Sequence, residues 1–462
     1  MTKNNHVTGA DAYKLLHHLM QAPGYEWLTS YAEARFGARY PNTVMAGLFD
    51  VIDKMPMTVS KMDISKGISI SHDIFGFNGI NTDIWKKVEE LGYMPCEIKG
   101  IPDGMIVPVG TPLLKVEPTE KWFAPVCNQL ETKLMRIWYP VTLATRLRAI
   151  RLRVNEYYEE SGTPEMAEYA INDFSSRSAS CQEQGEIAGM IHLLVCGSGS
   201  DNIDGQLHLN HLYGYQNKLK SVWATEHSVA LSFGPGEGEY EYIKHQLKTH
   251  TDFIKSIVAD TYDYKNFVTN VWTRADVQEL VMAHEGRIVL RPDSGDMFDN
   301  IIFTLNFFES YHGITVNKKG YKVINGNIGV IQGDGMNEDT ICELYEYILN
   351  KGWSADNLVV GAGTGIMFEG LTRDTQRFAI KPSANVINGK LINTIKDPKT
   401  DPTKRSKGGL LKVDKDLVTH TSMDYEGIMD EFEAVICIME VYYRDGVKGK
   451  PDYDKFMENL NR

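Results

Sequence analysis

"RIVLRPDSGD", residues 287–296, is the stretch of sequence that decides the fold prediction. Apolar residues that suit a buried strand lead directly into Arg291, a proline, Asp293 and a Ser-Gly turn. One strand that ends in charged and turn-forming residues is an ordinary loop, but this type of ending recurs along the chain. The other endings of this type lie at 170–177, 193–201, 221–228, 256–263, 328–335 and 358–365.

Segments with helical spacing separate these strand endings. Short β-rich runs that alternate with helices are typical of βα units and a parallel sheet. In a parallel α/β barrel the carboxyl ends of all strands open on one face, and catalytic groups from several strands meet there. We therefore predict a parallel α/β barrel over 166–384. The segments with helical spacing are 181–194, 240–254, 263–272, 297–311 and 339–352.

The two ends of the chain have a different pattern. Residues 46–52 and 92–118 alternate apolar and polar side chains around proline and glycine turns, which indicates short antiparallel strands. A helix is predicted over 128–160, broken near Pro140, and the tail from about 385 returns to strands. These segments predict a flanking β-rich α+β domain formed by both chain ends, 1–165 plus 385–462.

Composition limits the class of function. The chain has 462 residues, 42% hydrophobic and 24% charged, as in ordinary globular proteins. A net charge of −13 argues against nonspecific nucleic-acid binding. No apolar run is long enough to cross a bilayer and the start lacks the apolar core of a signal peptide, so we expect a cytoplasmic protein with no membrane partner. The six cysteines form no Cys-x-x-Cys pair, so neither a zinc site nor a disulfide framework is predicted.

The strand endings carry groups suited to an anionic substrate. They supply Arg177 and Arg291, His227, several aspartates and two glycine-rich turns, 333–335 and 361–365. Aspartates beside a turn that can hold phosphate favour a Mg²⁺-bound diphosphate, or could stabilise positive charge on a sugar ring. No lysine occurs in the endings, which disfavours a Schiff-base aldolase. The aspartates of the endings are Asp201, Asp260, Asp263, Asp293 and Asp334.

A basic loop at 396–412 lies outside the predicted barrel. Six lysine and arginine residues occur there among prolines and glycines, on a chain that is acidic overall. The loop indicates a small anionic ligand, and a solvated surface loop explains its composition equally well.

Motifs along nearly the whole chain resemble those of the nicotinamide phosphoribosyltransferases. The most specific are "LRPDSG" (290–295), "VIQGDG" (330–335) and "KDPKTDPTKRSKGG" (396–409). The others, in chain order, are "DAYK" (11–14), "SYAEAR" (30–35), "DFSSR" (173–177), "ATEHS" (224–228), "DTYD" (260–263) and "GLTRD" (370–374).

The resemblance implies a homodimeric enzyme that joins nicotinamide to 5-phosphoribosyl 1-diphosphate, giving nicotinamide mononucleotide and pyrophosphate with Mg²⁺. It also implies an irregular parallel α/β barrel with an additional β-rich domain, and it places the site at the dimer interface. Phe174 and the partner subunit's Tyr13 would stack on the pyridine ring, which suits an electron-poor ring and aims its nitrogen at the sugar. Arg177 and Asp201 would hold the carboxamide, and Asp11 would contribute to the same part of the site.

The resemblance also implies a phosphate and ribose side. Arg291 and Asp293 would contact ribose and diphosphate, and Asp334 with Gly333 would lie near the ribose. Asp293 and Asp334 would hold Mg²⁺, through water. The predicted phosphate-binding residues are Gly363, Thr364 and Gly365 at the 5′-phosphate and, from the partner, Arg35, Arg373, Lys396 and Lys404.

His227 resembles the phosphorylatable histidine of these enzymes, through which ATP acts as an activating co-substrate. A neutral imidazole is a competent nucleophile towards a phosphoryl group, and Glu226, Asp260 or Asp263 could orient it. A structural core histidine is the alternative interpretation.

Two departures from the family pattern concern the choice of acceptor. Ser175 and Ser176 stand where the family has Gly-Tyr, and the longer "GSGSD" (197–201) stands where the family has Gly-Thr-Asp. An aspartate accepts from an amide and repels a carboxylate, so Asp201 favours nicotinamide. The alternatives are a nicotinate-specific transferase and a non-catalytic nucleotide-binding dimer.

Overall fold

A computed structural model describes residues 5–55, 58–422 and 436–462. Chain contacts divide it into two compact units. Unit 1 comprises Met1–Thr145, Leu212–Gly214 and Leu371–Arg462, and unit 2 comprises Arg146–His211 and Tyr215–Gly370. The predicted domain limits, at 165/166 and 384/385, lie inside a helical turn and a strand respectively. Whether the units are independently folding domains stays a prediction.

Unit 2 is built on a parallel sheet. Its strand order is β6-β13-β12-β9-β8-β7, with strands numbered along the chain. Every neighbouring pair is parallel. The predicted parallel α/β architecture is therefore confirmed. The strands are β6 (Ile171–Asp173), β7 (Trp223–Ala224), β8 (Lys255–Val258), β9 (Ile288–Arg291), β12 (Ile328–Gln332) and β13 (Leu358–Ala362), and β10 (Ile314–Val316) pairs with β11 (Lys322–Ile324) in a separate hairpin.

Single backbone bridges continue the parallel order beyond β6. Asp173 pairs with Ser200, and Gly199 pairs with Lys220, just before β7. The strands therefore follow one another around a curled sheet in chain order, and β13 returns to β6. The predicted strand at 193–201 is reduced to these bridges, because its apolar residues continue the helix Gln182–Val195.

Helices connect the strands of unit 2 at the places where the sequence predicts them. The helix 264–271 contains a π-helical turn, Phe267–Val271. Met297–His312 and Glu338–Asn350 agree with the predictions for 297–311 and 339–352. The remaining helices are Ile203–Tyr213, His227–Leu231, Glu237–Lys248, Ala275–Ala283 and Thr364–Met367.

Unit 1 contains an antiparallel sheet. Its order is β15-β14-β1-β5-β3-β18-β19, and all of its pairs are antiparallel. Both chain ends contribute strands to it, as predicted. The strands are β1 (Tyr25–Glu33), β3 (Cys96–Gly100), β5 (Pro112–Pro118), β14 (Ala379–Ile387), β15 (Lys390–Asn393), β18 (Glu440–Arg444) and β19 (Val447–Lys448), with separate pairs β2 (Asn42–Val44) and β4 (Ile106–Pro108), and β16 (Leu410–Val413) and β17 (Thr419–Ser422).

The strand prediction for 46–52 is wrong, because this segment is the helix Leu48–Asp53. Gly47 precedes it with φ of 80°, a left-handed conformation that glycine adopts without strain. Leu48, Val51 and Ile52 then fall on one buried helical face. The other helices of this unit are His17–Met20, Lys61–Phe75, Thr82–Leu91, Ala124–Cys127, Glu131–Leu134 and Tyr453–Leu460.

The helix predicted over 128–160 is not broken at Pro140. Short helical turns run to Ile137, and one helix then extends over Trp138–Ser161. Pro140 lies in the first turn of that helix, where its missing N–H interrupts no internal hydrogen bond. Among the helices of the described residues, none has both the length and the apolar character needed to cross a membrane.

Candidate functional site

A cavity of about 710 Å³ opens at the carboxyl ends of the unit 2 strands. It is lined by residues that follow β6, β9, β12 and β13 and by the bridge segment at 201–202. Every site residue predicted in unit 2 except His227 contributes to the lining. These residues are Phe174, Arg177, Asp201, Arg291, Asp293, Gly333, Asp334, Gly363, Thr364 and Gly365.

Phe174 forms one wall of the cavity directly after β6. Its N–H donates to the carbonyl oxygen of Ala362 at 3.0 Å, which fixes its backbone against β13. A Cβ added to Gly361 would lie 2.8 and 2.9 Å from two carbon atoms of the Phe174 ring and 3.2 Å from Cα of Gly333. Gly361 therefore provides the space that the aromatic ring occupies.

Arg177 and Asp201 lie on neighbouring segments of the same cavity. Arg177 is exposed on the turn Ser176–Ser178, and its side chain forms no hydrogen bond or ion pair with the described residues. The Asp201 N–H donates to the carbonyl oxygen of Asp173 at 2.9 Å, and its carboxylate accepts from the hydroxyl of Ser221. Desolvation raises the pKa of Asp201, and the nearby charge of Asp173 raises it further.

The two serines that depart from the family pattern have different surroundings. Ser175 is buried, and its N–H donates to Oδ1 of Asp173 at 2.8 Å. Ser176 lines the cavity. Only Ser176 is therefore positioned to contact a bound molecule.

Arg291 and Asp293 follow β9 and join a network with Asp260. Nε of Arg291 lies 3.8 Å from Oδ1 of Asp293. Oδ2 of Asp260 accepts from the N–H of Asp293 at 2.9 Å and from the hydroxyl of Ser294 at 2.5 Å. The side chain of Asp260 is 2% exposed, and its two hydrogen bonds to Asp293 and Ser294 fix the "RPDS" turn.

His227 lies between two carboxylates. Its Nε2 donates to Oδ1 of Asp260 at 3.0 Å, and its Nδ1 lies 3.8 Å from Oδ2 of Asp293. Its side chain is 40% exposed, which excludes the interpretation as a buried core histidine. Asp260 is the carboxylate that orients the ring, since Glu226 accepts from Ser228 and Asp263 caps the following helix.

The glycine turns line the other side of the cavity. A Cβ on Gly333 would lie 3.0 Å from Oδ1 of Asp293, whereas a Cβ on Gly363 would meet no heavy atom within 4 Å. The turn Thr364–Met367 is held by buried Arg146, whose guanidinium donates to the carbonyl oxygens of Ile366 at 3.1 Å and Glu369 at 2.8 Å.

Asp293 and Asp334, the predicted metal ligands, both line the cavity. No group of three or more His, Cys, Asp or Glu side chains arranged to hold a metal ion is found in the described residues. Mg²⁺ is normally held by one or two carboxylates together with water and ligand phosphates, so this donor set fits Mg²⁺ bound through a diphosphate. It does not fit a metal held by protein side chains alone.

The remaining predicted site residues belong to unit 1. Tyr13 is 58% exposed on the turn Ala12–Leu16, with Asp11 directly before that turn. Lys404 is paired with Asp401 at 3.0 Å.

Three of the predicted phosphate-binding cations of unit 1 surround Lys381. Burial lowers the pKa of Lys381, Glu131 raises it, and the charges of Lys396, Arg35 and Arg373 lower it again. Three predicted phosphate-binding cations therefore act on Lys381, and positive charges that lie near one another attract an anion. Lys381 was not predicted as a site residue. Its only signal in the sequence is a lysine inside an otherwise uncharged strand.

The sequence profile of the nicotinate phosphoribosyltransferase (NAPRTase) family matches residues 169–430, more than half of the chain. The chain belongs to this family. It is therefore an enzyme, a phosphoribosyltransferase.

Two curated relatives that align with most of this chain are both named nicotinamide phosphoribosyltransferase. A nicotinamide phosphoribosyltransferase of Xanthomonas campestris pv. campestris (strain 8004) is 32% identical over 425 residues, which cover 90% of this chain and 89% of the relative. A nicotinamide phosphoribosyltransferase of Mycoplasma pneumoniae (strain ATCC 29342 / M129 / Subtype 1) is 27% identical over 448 residues, covering 88% of this chain and 95% of the relative.

Two solved structures share the fold. A nicotinate-nucleotide pyrophosphorylase from Pyrococcus furiosus has a TM-score of 0.60 at 12% identity and covers 99% of this chain and 95% of its own. Human nicotinic acid phosphoribosyltransferase has a TM-score of 0.57 at 14% identity, covering 98% of this chain and 92% of its own. At such identities the likeness concerns the architecture.

Proposed function

We propose that the protein transfers the phosphoribosyl group of 5-phosphoribosyl 1-diphosphate to nicotinamide, giving nicotinamide mononucleotide and pyrophosphate in NAD salvage. The observation that carries the proposal is one cavity lined by an aromatic ring, an arginine and an aspartate on one side and by Arg291, Asp293 and glycine turns on the other. The names of the relatives support the same reaction.

The acceptor would lie against Phe174. The ring supplies a flat apolar surface for a pyridine, while Arg177 donates to the carboxamide oxygen and Asp201 accepts from its nitrogen. Stacking and two oriented polar contacts hold the pyridine nitrogen towards the sugar carbon, which reduces the entropic cost of attack. Tyr13, and Asp11 beside it, are proposed to complete this part of the site from a partner subunit in a homodimer.

The diphosphate and ribose would lie on the side of Arg291. As the bond to diphosphate breaks, positive charge develops on the ribose, and Asp293 and Asp334 offset it electrostatically. Mg²⁺, when bound, would neutralise part of the charge on the leaving diphosphate. Gly333 and the residues Gly363–Gly365 leave room for phosphate oxygens beside the backbone. The cations Arg35, Arg373, Lys396 and Lys404 are proposed to contact phosphate from the partner.

His227 is proposed to couple ATP to the reaction. Because its Nε2–H donates to Asp260, the neutral ring keeps its lone pair on Nδ1, on the side that faces Asp293. Nδ1 is therefore the nitrogen suited to attack the γ-phosphorus of ATP, forming an N–P bond as the bond from that phosphorus to the bridging oxygen breaks and ADP leaves. The buried Asp260 carboxylate stabilises the positive charge that the ring gains during attack.

The experiment is a comparison of two acceptors. Mononucleotide formation is measured with phosphoribosyl diphosphate and Mg²⁺, with nicotinamide and nicotinate in parallel, each with and without ATP. The proposal expects nicotinamide to be the better acceptor and Asp201→Asn to reduce the preference. Product from nicotinate alone would replace the acceptor with nicotinate, and no product from either would favour a non-catalytic nucleotide-binding protein.

A further inference from the structure

Beneath the acceptor side of the cavity lies a second carboxylate, Asp173, that the proposed reaction does not use. It is the last residue of β6 and is 0% exposed. Oδ1 accepts from the N–H of Ser175, and Oδ2 has no hydrogen-bond partner among the described residues. A buried carboxylate oxygen without a partner costs free energy, so its retention requires an explanation.

Asp173 is connected to both polar contacts of the acceptor site. Its carbonyl oxygen accepts from the Asp201 N–H at 2.9 Å, and its carboxylate holds the N–H of Ser175 at 2.8 Å. Ser175 leads into the turn that carries Arg177. Asp173 therefore fixes the backbone that carries Phe174, Arg177 and Asp201.

The electrostatic surroundings of Asp173 include one buried histidine, His192, and two cations, Arg151 and Lys218. Burial lowers the pKa of His192, the nearby ring on the helix Gln182–Val195, so this histidine is neutral at pH 7. Arg151 and Lys218 lower the pKa of His192 further, although Asp173 raises it. No ion pair to Asp173 is found in the described part of the chain, and a charge in a weakly polarisable interior acts over a longer distance than one in water.

We propose that Asp173 is a specificity-determining positioning residue, whose buried negative charge, acting behind Asp201, excludes pyridine acceptors that carry a carboxylate. The proposal rests on the proposed function and adds a reason for its acceptor choice. Asp201 contributes one carboxylate to the lining of the cavity, and Asp173 adds a second, buried carboxylate whose backbone is hydrogen-bonded to Asp201. The charges of Asp201 and Asp173 together repel the carboxylate of a pyridine acceptor more strongly than the charge of Asp201 alone does.

The effect of Asp173 on Asp201 supports the same arrangement. The groups that act on Asp201 are its desolvation and Asp173, which raise its pKa, and the hydroxyl of Ser221 and Arg291, which lower it. Removal of the Asp173 charge should therefore lower the pKa of Asp201. The pH at which Asp201 takes up a proton, read from the acceptor KM, should move downward with it.

The test uses Asp173→Asn in the full-length protein. The asparagine oxygen still accepts from the Ser175 N–H, so the turn is retained while the charge is removed. We expect the ratio of kcat/KM for nicotinamide to that for nicotinate to fall about tenfold, mainly through a lower KM for nicotinate, as loss of a buried charge near the ligand implies. The acidic limb of the pH profile of KM for nicotinamide should also move to lower pH.

The matched control is Asp103→Asn. Asp103 is likewise a buried aspartate, with its carboxylate bonded to Tyr213 in unit 1, and it lies outside the residues that line the cavity. The control should leave both the acceptor ratio and the pH profile unchanged. An Asp173→Asn protein with the wild-type ratio and pH profile would overturn the proposal, as would an equal change in the control.

Failure of the proposed function gives a different result. If the wild type makes no nicotinamide mononucleotide, the proposed function fails, whatever the variants do. If the wild type prefers nicotinamide and Asp201→Asn alone changes that preference, only the role of Asp173 is refuted.

A second variant applies if Asp173→Asn does not fold. Asp173→Ser removes the charge with a smaller side chain whose hydroxyl can accept from Ser175, and the same fall in ratio is expected. A wild-type ratio in Asp173→Ser would overturn the proposal.

Discussion

Replacement of Asp260 by asparagine tests the network that orients His227 and the "RPDS" turn. The Asp260 carboxylate accepts three hydrogen bonds, from His227 at 3.0 Å, from the N–H of Asp293 at 2.9 Å and from Ser294 at 2.5 Å. Asparagine has one accepting oxygen, so an NH₂ group must face a donor on one side. A hydrogen bond to a charged group contributes about 1.5–3 kcal/mol, and we therefore expect the free energy of unfolding to fall by about 2 kcal/mol.

The stability of purified Asp260→Asn protein is measured by urea denaturation. The stimulation of mononucleotide formation by ATP is measured separately on the folded protein. Stimulation should fall at least about tenfold, since a free-energy change of about 1.4 kcal/mol in the orientation of His227 has that effect. Asp263→Asn is the matched control. Asp263 caps the helix that starts at Tyr264, and asparagine caps a helix as well as aspartate does, so this variant should keep wild-type stability. Wild-type stability and stimulation in Asp260→Asn would refute the reasoning.

Three further predictions concern other parts of the molecule. Gly361→Ala must displace the Phe174 ring and should raise KM for the acceptor about tenfold. The methyl group of Gly363→Ala projects into open space, so this variant should instead raise KM for phosphoribosyl diphosphate. Steady-state kinetics with each substrate varied in turn would contradict the prediction if both variants affected the same KM. Burial raises the pKa of Asp103 to about 7, so the folded state holds a proton that the unfolded chain releases, and wild-type stability should fall as the pH rises from about 4 to about 7. Asp103→Asn should remove that fall and be about 2 kcal/mol more stable than the wild type at about pH 8 in urea denaturation, and a parallel pH dependence of both proteins would count against it. Labelled ATP should give an acid-labile, base-stable label on the wild type and none on His227→Asn, and an equal label on both would exclude His227 as the acceptor.

The parallel sheet could be predicted because its strand endings repeat. β8, β9, β12 and β13 each begin within three residues of an apolar run that the sequence marks, since fully buried parallel strands need continuous apolar side chains. The ending at 193–201 could not be assigned in this way, because an apolar run alone does not distinguish a buried helix from a strand. The same ambiguity explains the helix Leu48–Asp53, where strand and helix spacing both fit a short run.

The sequence could identify those cavity residues that lie in recognisable motifs. Phe174, Arg291 and Asp293 lie in motifs at strand ends, and a parallel sheet brings such ends together. Arg146 and Lys381 act through burial and through partners far away in the chain, and Asp173 acts through burial. Lys381 lies beside Arg35, Arg373 and Lys396, and Arg146 holds a turn more than 200 residues further along the chain. Burial and long-range pairing of this kind depend on the tertiary structure, so spacing in the sequence does not reveal them.

The measurement that tests the central claim most directly is a competition between acceptors. The protein is given equal concentrations of nicotinamide and nicotinate with limiting phosphoribosyl diphosphate, Mg²⁺ and ATP, and the mononucleotides are separated and identified by mass spectrometry. We predict that nicotinamide mononucleotide predominates, with pyrophosphate released in equal amount. Predominance of nicotinate mononucleotide would contradict the account of Asp201 and Asp173, and the absence of both products would contradict the proposed reaction.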